Sequence, residues 1–247
     1  MPKSIAVFGA GPGLGQAVAH RYAREGWTIV LVARRREPLD RLAEDLAAAG
    51  ATAHVITADL TDTGAVSWLA EQIRVEVGDL DAFYYAPTPE LVDGFIPATS
   101  LTPQRAQDFM PLAVYTPMAL VQEFLPHMVD QGDGAILTAQ GASAVRGLPR
   151  MSGPGPAQAA QRNYLQSLHA EVADEGVHVG RLYIGAAIEN TPFHTEMEAA
   201  KAAGKQVPAI PTVAPARLAD LLWTMHTTKD RAEATFPADL AHTRSAG

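Results

Sequence analysis

The chain has 247 residues, 47% hydrophobic and 19% charged, a globular composition in a chain long enough to bury a core without covalent staples. It contains no cysteine, which excludes disulfides, thiolate metal sites and cysteine nucleophiles together. A formal net charge of −8 argues against binding to nucleic acid or to an anionic membrane surface.

The start, Met1-Pro2-Lys3-Ser4-Ile5, enters an apolar strand at once, with no room for a signal peptide. Ile5 to Phe8 reads as a short buried strand and Gly9 to Gly15 as a turn. Leu14, Ala17, Val18 and Tyr22 then follow the spacing of one helix face, which Gly26 ends. Thr28 to Ala33 predicts a second strand, and Leu39, Leu42, Ala43 and Leu46 a second helix closed by Gly50. A third strand is expected near His54–Thr57, a third helix on Val66, Leu69, Ile73 and Val77, and a fourth strand at Phe83–Ala86. A proline-rich loop (87–103) leads into a long helical stretch to about Gln131, in which Pro111 and Pro117 predict a kink or a break. Gly134–Ala139 reads as strand five, 157–175 as a helix and Val177–Ile184 as strand six. Residues 192–212 combine small residues, prolines and charges, and predict a mobile lid or loop over a substrate; a last helix runs from about 214 to 227. No run of apolar residues reaches the roughly 18–20 needed to span a bilayer, so a soluble, cytoplasmic protein is expected. Strands alternating with helices, without repeats or a linker, predict one doubly wound α/β domain of the Rossmann type over 1–247, with a mostly parallel sheet of about seven strands.

The turn Gly9-Ala10-Gly11-Pro12-Gly13-Leu14-Gly15 lies between a strand and a helix. Glycines there permit positive φ and let backbone N–H groups approach a pyrophosphate seated on the helix N-terminus, which is the arrangement of a dinucleotide site. NAD-specific sites place an acidic residue at the end of the second strand for the ribose 2′-hydroxyl. Ala33 stands there instead, followed by Arg34, Arg35 and Arg36. Guanidinium groups bind a 2′-phosphate that a carboxylate would repel, so NADP(H) is favoured over NAD(H).

The glycine pattern Gly9, Gly13 and Gly15, the pair Asp59-Leu60 after strand three, Leu125-Pro126-His127-Met128, the helix ending Arg162 to Leu168, and Ile184-Gly185 followed by Thr191-Pro192 form a further set of motifs. In these the chain resembles the short-chain dehydrogenase/reductase family along nearly its whole length, although that family usually has proline where Ile184 stands. The resemblance implies that Gly9, Gly11, Gly13, Leu14, Gly15, Arg34, Arg35, Asp59, Leu60 and Ala86 hold the cofactor, with Asp59-Leu60 at the adenine. It also implies a homo-oligomer, a dimer or a tetramer, built through the helices of 103–131 and 154–176. In the family an Asn, a Ser, a Tyr and a Lys cooperate in catalysis: the Tyr exchanges the hydroxyl proton, the Lys lowers its pKa and the Ser orients the substrate oxygen. The matching positions here are Ala113, Gly141, Pro154 and Gln158, and the family's Asn-Ala-Gly after strand four reads Tyr85-Ala86-Pro87. Proline and glycine side chains have no proton to exchange, and glutamine supplies no cationic field. Loss of a general acid–base alone costs on the order of 10²–10⁴ in rate.

Tyr85, Gln140, Ser143, Gln158 and Asn190 are the candidates for a substrate pocket. Tyr85 reads equally as a cofactor wall or a packed core aromatic. Ser143 is the nearest hydroxyl to the replaced serine, or a polar loop residue. His194 reads as an exposed loop histidine. His20, His127, His169 and His178 lack metal-ligand spacing, so no metal site is expected, and Met110, Met118 and Met128 follow a helix face. Three functions remain open: an atypical oxidoreductase acting on an unknown small organic substrate, a cofactor-binding sensor or scaffold without turnover, and a non-redox enzyme such as a lyase or isomerase.

Overall fold

The computed structural model describes residues 2–88, 96–207 and 210–239. The expected loop of 87–103 and the expected lid of 192–212 therefore fall partly outside the described residues. Six strands of the main sheet follow one another through helices: β1 (Ser4–Phe8), β2 (Thr28–Ala33), β3 (Ala53–Thr57), β4 (Ala82–Tyr85), β5 (Gly134–Gly141) and β6 (Val177–Ile184). A two-stranded pairing of β7 (Ala187–Ile188) with β8 (Thr212–Val213) stands apart, and β9 (Glu233–Phe236) completes the main sheet. Its order is β3-β2-β1-β4-β5-β6-β9, parallel throughout. The helices are α1 (Leu14–Ala23), α2 (Arg36–Ala48), α3 (Val66–Val77), α4 (Pro103–Asp108), α5 (Thr116–Gln131), α6 (Pro154–Val172), α7 (Pro192–Ala202) and α8 (Pro215–Thr228). Among the described residues no helix is long and apolar enough to cross a membrane.

Alternation along each strand divides the core between the two faces of the sheet. Ile5 and Val7 point to α1, α2 and α8, where they meet Val18, Leu39, Leu46 and Leu222; Ala6 and Phe8 point to α3, α5 and α6, where they meet Ile73, Phe124 and Leu165. Buried on both sides, the strands read as continuous apolar runs. Each fully buried large side chain such as Phe8 contributes roughly 1.5–3 kcal/mol. Winding reverses between β1 and β4, so the crevice of this fold opens where Gly9 leaves β1 and Ala86-Pro87 leaves β4.

Two expectations need correction, and the place of the seventh strand is new. The long helical stretch does bend at Pro111, as a π-helical turn over Pro111–Tyr115, but Pro117 does not interrupt it. Thr116 keeps helical angles (φ −63°, ψ −48°), and Pro117 sits in the first turn of α5, where a missing N–H costs nothing. The segment from 192 is not an irregular loop: Thr191 caps α7 by accepting from the His194 N–H (3.3 Å), Pro192 opens it, and Met197 is buried beneath it. Strand β9 had no apolar run to announce it. Its Glu233 carboxylate accepts from Arg162 (3.1 Å), Gln166 (2.8 Å), Arg181 (3.1 Å) and the Tyr183 hydroxyl (3.2 Å), which sets the strand against β6. Burial pushes that carboxyl up, and the two guanidinium groups with Gln166 outweigh it and hold Glu233 below the usual range.

Behind the sheet, Tyr22, Trp27, Trp223 and His226 stack edge and face, with the Tyr22 hydroxyl and His226 Nδ1 hydrogen-bonded at 2.7 Å. Burial first, then neighbouring His178, Lys3 and Lys229 against Asp133, lowers His226 to about 4. Burial with His169, Lys229 and Arg181, against Asp230, lowers His178 to about 4 as well. Both rings fold neutral, whereas an exposed histidine in the unfolded chain titrates near 6.5. Their stabilisation is therefore complete above about pH 6.5 and is lost as pH falls towards 4, at about 1.4 kcal/mol per pH unit for each ring. Urea midpoints measured across pH 7 to 4 should fall with a slope that His178→Leu reduces; an unchanged slope in that variant would refute the assignment.

Candidate functional site

The glycine turn is built from close approaches. The N–H groups of Gly9 and Ala10 both donate to the Val32 carbonyl (2.9 and 3.2 Å), which ties the turn to β2. Gly9 (φ 93°) lies against Pro87, and a Cβ there would come within 2.9 Å of the proline backbone. A Cβ on Gly15 would lie 2.1 Å from the Gly9 carbonyl oxygen, and one on Gly13 (φ 92°) would lie 2.5 Å from the Thr191 methyl. These three glycines are required by packing alone. Gly11 differs, because nothing stands within 4 Å of where its Cβ would be. The turn leads into α1, which has no acidic residue in its first turn and no side-chain cap. N–H groups at such a start have no intrahelical partner and favour an anion, so the turn fits the pyrophosphate of a dinucleotide.

Beside it, β2 ends at Ala33 and the three arginines divide their work. Arg36 turns back to Asp40 (3.3 Å) on its own helix. Arg35 occupies the position before α2 and is exposed. Exposed Arg34 lies near Asp59, whose carboxylate accepts from the Thr61 N–H (2.9 Å) and hydroxyl (2.8 Å). Those two hydrogen bonds, and after them the Arg34 charge, hold Asp59 below the usual carboxylate range. Leu60 is buried, and its carbonyl accepts from Thr116 Oγ1 at 2.7 Å. Ala86 donates to the Phe8 carbonyl (3.2 Å), closing the seam between β1 and β4.

At the far end of the crevice, the end of β5 meets the head of α6. Ser143 lies in a tight turn, Ala142–Ala144, and is buried rather than a solvated loop residue. Its Oγ donates to Gln158 Oε1 at 2.9 Å. The amide N–H groups of Gln158 make no hydrogen bond among the described residues. Gln140 donates to Gln161 Oε1 and to the Gln158 carbonyl (3.2 Å), while its own Oε1 is buried without a partner. A Cβ on Gly141 would be 3.5 Å from both Ser143 Oγ and Gln158 Oε1, and Gly155 lets α6 approach Ser143 closely. Pro154 opens α6 and Ala113 lies in the π turn. None of Ala113, Gly141, Ser143, Pro154 and Gln158 carries a titratable proton near neutral pH. The arrangement offers neutral donors and acceptors.

Of the pocket candidates, the structure brings Gln140, Ser143 and Gln158 together. The expectation of Tyr85 as a pocket wall is not met: its ring is 2% exposed in the core beside Phe8, and its hydroxyl donates to the Leu112 carbonyl. Asn190 is exposed, with φ 65°, in the turn that leads into α7. Sequence reasoning missed Gln161 and Thr116 as site-shaping residues, because a lone amide or hydroxyl on a helix face carries no signal of what it meets. Thr191 had a signal, its place before Pro192, but its cover over Gly13 shows only in three dimensions. Among the described residues no group of three His, Asp or Glu side chains is placed to hold a metal ion.

A family model described as short chain dehydrogenase matches residues 3–203. Among curated relatives, a fatty acyl-CoA reductase of Acinetobacter baylyi is 26% identical over 223 residues, 89% of this chain and 71% of that protein. An uncharacterized oxidoreductase of Mycobacterium tuberculosis is 28% identical over 197 residues, 77% of this chain; the chain spans only 56% of that relative's length. Among solved structures, L-sorbose reductase from Gluconobacter frateurii, complexed with NADPH and L-sorbose, superposes with a TM-score of 0.85 at 22% identity, covering 98% of each chain. With the parallel sheet, the glycine turn at its switch point and the family match over most of its length, the chain belongs to the short-chain dehydrogenase family.

Proposed function

We propose that the protein is an NADP(H)-dependent oxidoreductase that reduces an activated small organic acceptor, a conjugated enone or an iminium, without a tyrosine–lysine proton relay. The observation that carries this reading is the Ser143–Gln158 pair at the head of α6. A neutral amide held by a hydroxyl orients an oxygen but transfers no proton. The bound nicotinamide would supply a hydride, two electrons and one nucleus, to the electrophilic carbon of the acceptor. On an enone the negative charge then develops on oxygen, where a Gln158 N–H hydrogen bond stabilises it, and water protonates the α-carbon. An iminium already carries its proton and becomes an amine directly. Glycines 9 to 15 would hold the pyrophosphate, and Arg34 and Arg35 the 2′-phosphate. Known relatives that reduce substrates support the reaction class, and their own substrates are not carried over.

A second reading, a dinucleotide-dependent sensor without turnover, draws on the Gln140–Gln158–Gln161 contacts, in which the amides bond to α6 itself.

Calorimetric titration should give tighter binding of NADPH than of NADH, and Arg34→Ala should weaken NADPH by roughly 10–100-fold, the worth of one charged hydrogen-bond pair, while sparing NADH. Equal affinities would overturn the arginine reading. In an enone panel, kcat/KM should stay nearly flat between pH 6 and 9, and Gln158→Leu should cost about 10²-fold. A bell-shaped profile in that range would reveal a titrating relay, and tight NADPH binding with no turnover on any acceptor would favour the sensor.

A further inference from the structure

The π turn at Pro111–Tyr115 packs against α6, receives the Tyr85 hydroxyl and leads directly into α5. Pro111 has no N–H to donate, so the helical register is broken there, and turns of this kind concentrate at functional sites. On one side, the first residue of α5, Thr116, is fully buried and donates to the Leu60 carbonyl at 2.7 Å, in the turn that holds Asp59 beside Arg34. Beneath it, the Tyr85 hydroxyl at the end of β4 donates to the Leu112 carbonyl. On the other side the π turn packs directly against α6, which carries Gln158 within 2.9 Å of Ser143. Leu112 is held by a rigid buried aromatic and Thr116 by a buried carbonyl, so the turn is pinned at both of its ends.

We propose that Tyr85 and Thr116 are positioning residues that make the π turn a stiff coupling between the arginine end of the crevice and the Ser143–Gln158 end. The proposal rests on the dinucleotide reading of the crevice. A nucleotide bound at Arg34 and Asp59 steadies the 59–61 turn, Thr116 passes that constraint to the π turn, and Tyr85 keeps the π turn from relaxing away from α6. The head of α6 is then ordered before any group reaches Gln158. Such coupling is reciprocal and typically amounts to a factor of 5 or more.

The probe is adenosine 2′,5′-bisphosphate, which carries the 2′-phosphate and lacks any nicotinamide. At saturation, confirmed by calorimetry, it should slow amide hydrogen exchange at residues 155–161 by at least about fivefold in the wild-type protein. Thr116→Val and Tyr85→Phe should each abolish that slowing, and Thr116→Ser, which keeps the hydroxyl, should restore it. The slowing counted is the excess at these residues over that of core amides in β6, which report the global stabilisation that any bound ligand gives by mass action. Equal slowing in Thr116→Val and Tyr85→Phe, or binding without slowing in the wild type, would overturn the coupling. No binding to the wild type would overturn the arginine reading instead, and the coupling with it.

Discussion

The crevice is built on the close approach of α1 to the Gly9 carbonyl. With 2.1 Å between that oxygen and the position of a Cβ on Gly15, only a hydrogen atom fits between helix and turn. The contact sets the depth at which α1 lies on β1, and so places the first turn of α1 over the end of the strand. It also forces Gly9 against Pro87, joining β1 and β4 at the point where the winding of the sheet reverses. The arginines at the end of β2 and the turn at the end of β3 take their places from the same parallel register. A larger residue at 15 would push the helix off the strand and open the crevice at its centre.

How much of this was legible in the residues depended on whether the cause was local. Strands β2 and β6 fall on the spans expected of them, Thr28–Ala33 and Val177–Ile184, because a strand covered on both faces must be apolar throughout. The fold of a nucleotide crevice follows from glycines placed between a strand and a helix, and needs no distant partner to be recognised. Strand β9 is the opposite case. Glu-Ala-Thr-Phe gives no pattern of its own, and its place comes from guanidinium, amide and phenol groups supplied by α6 and β6. Pro126 lies inside α5, on its exposed side. In the site, Ser143 and Gln158 were nameable as candidates from their positions, whereas Tyr85 was ambiguous until its burial was known. Whether an aromatic at the end of a strand faces a crevice or a core is decided by the packing of helices far away in the chain.

The two ends of the crevice differ in chemical character. One is ionic, with guanidinium groups, a depressed carboxylate and the unpaired N–H groups of a helix start. The other is neutral, with amides and one hydroxyl bonded mainly to each other. Charge selects and anchors at the first end, and shape and hydrogen-bond direction govern the second. In the proposed reading this division serves to hold an anionic ligand at one end while the other end presents an environment whose protonation does not change around neutral pH. The cluster is not fully self-satisfied, because the Gln140 side-chain oxygen is buried without a partner among the described residues.

The small pairing of Ala187–Ile188 with Thr212–Val213 has an evolutionary consequence. It brings the two ends of the α7 excursion together at the sheet, so everything between them is a closed loop whose span is already set. Changing the length of such a loop alters its closure entropy only slowly, by about 0.6 kcal/mol per doubling. Beyond Thr191, which covers Gly13, changes there leave the register of the seven-stranded sheet undisturbed, because the sheet does not draw its register from the excursion. Descendants of this chain can therefore vary that one segment at little risk to the fold.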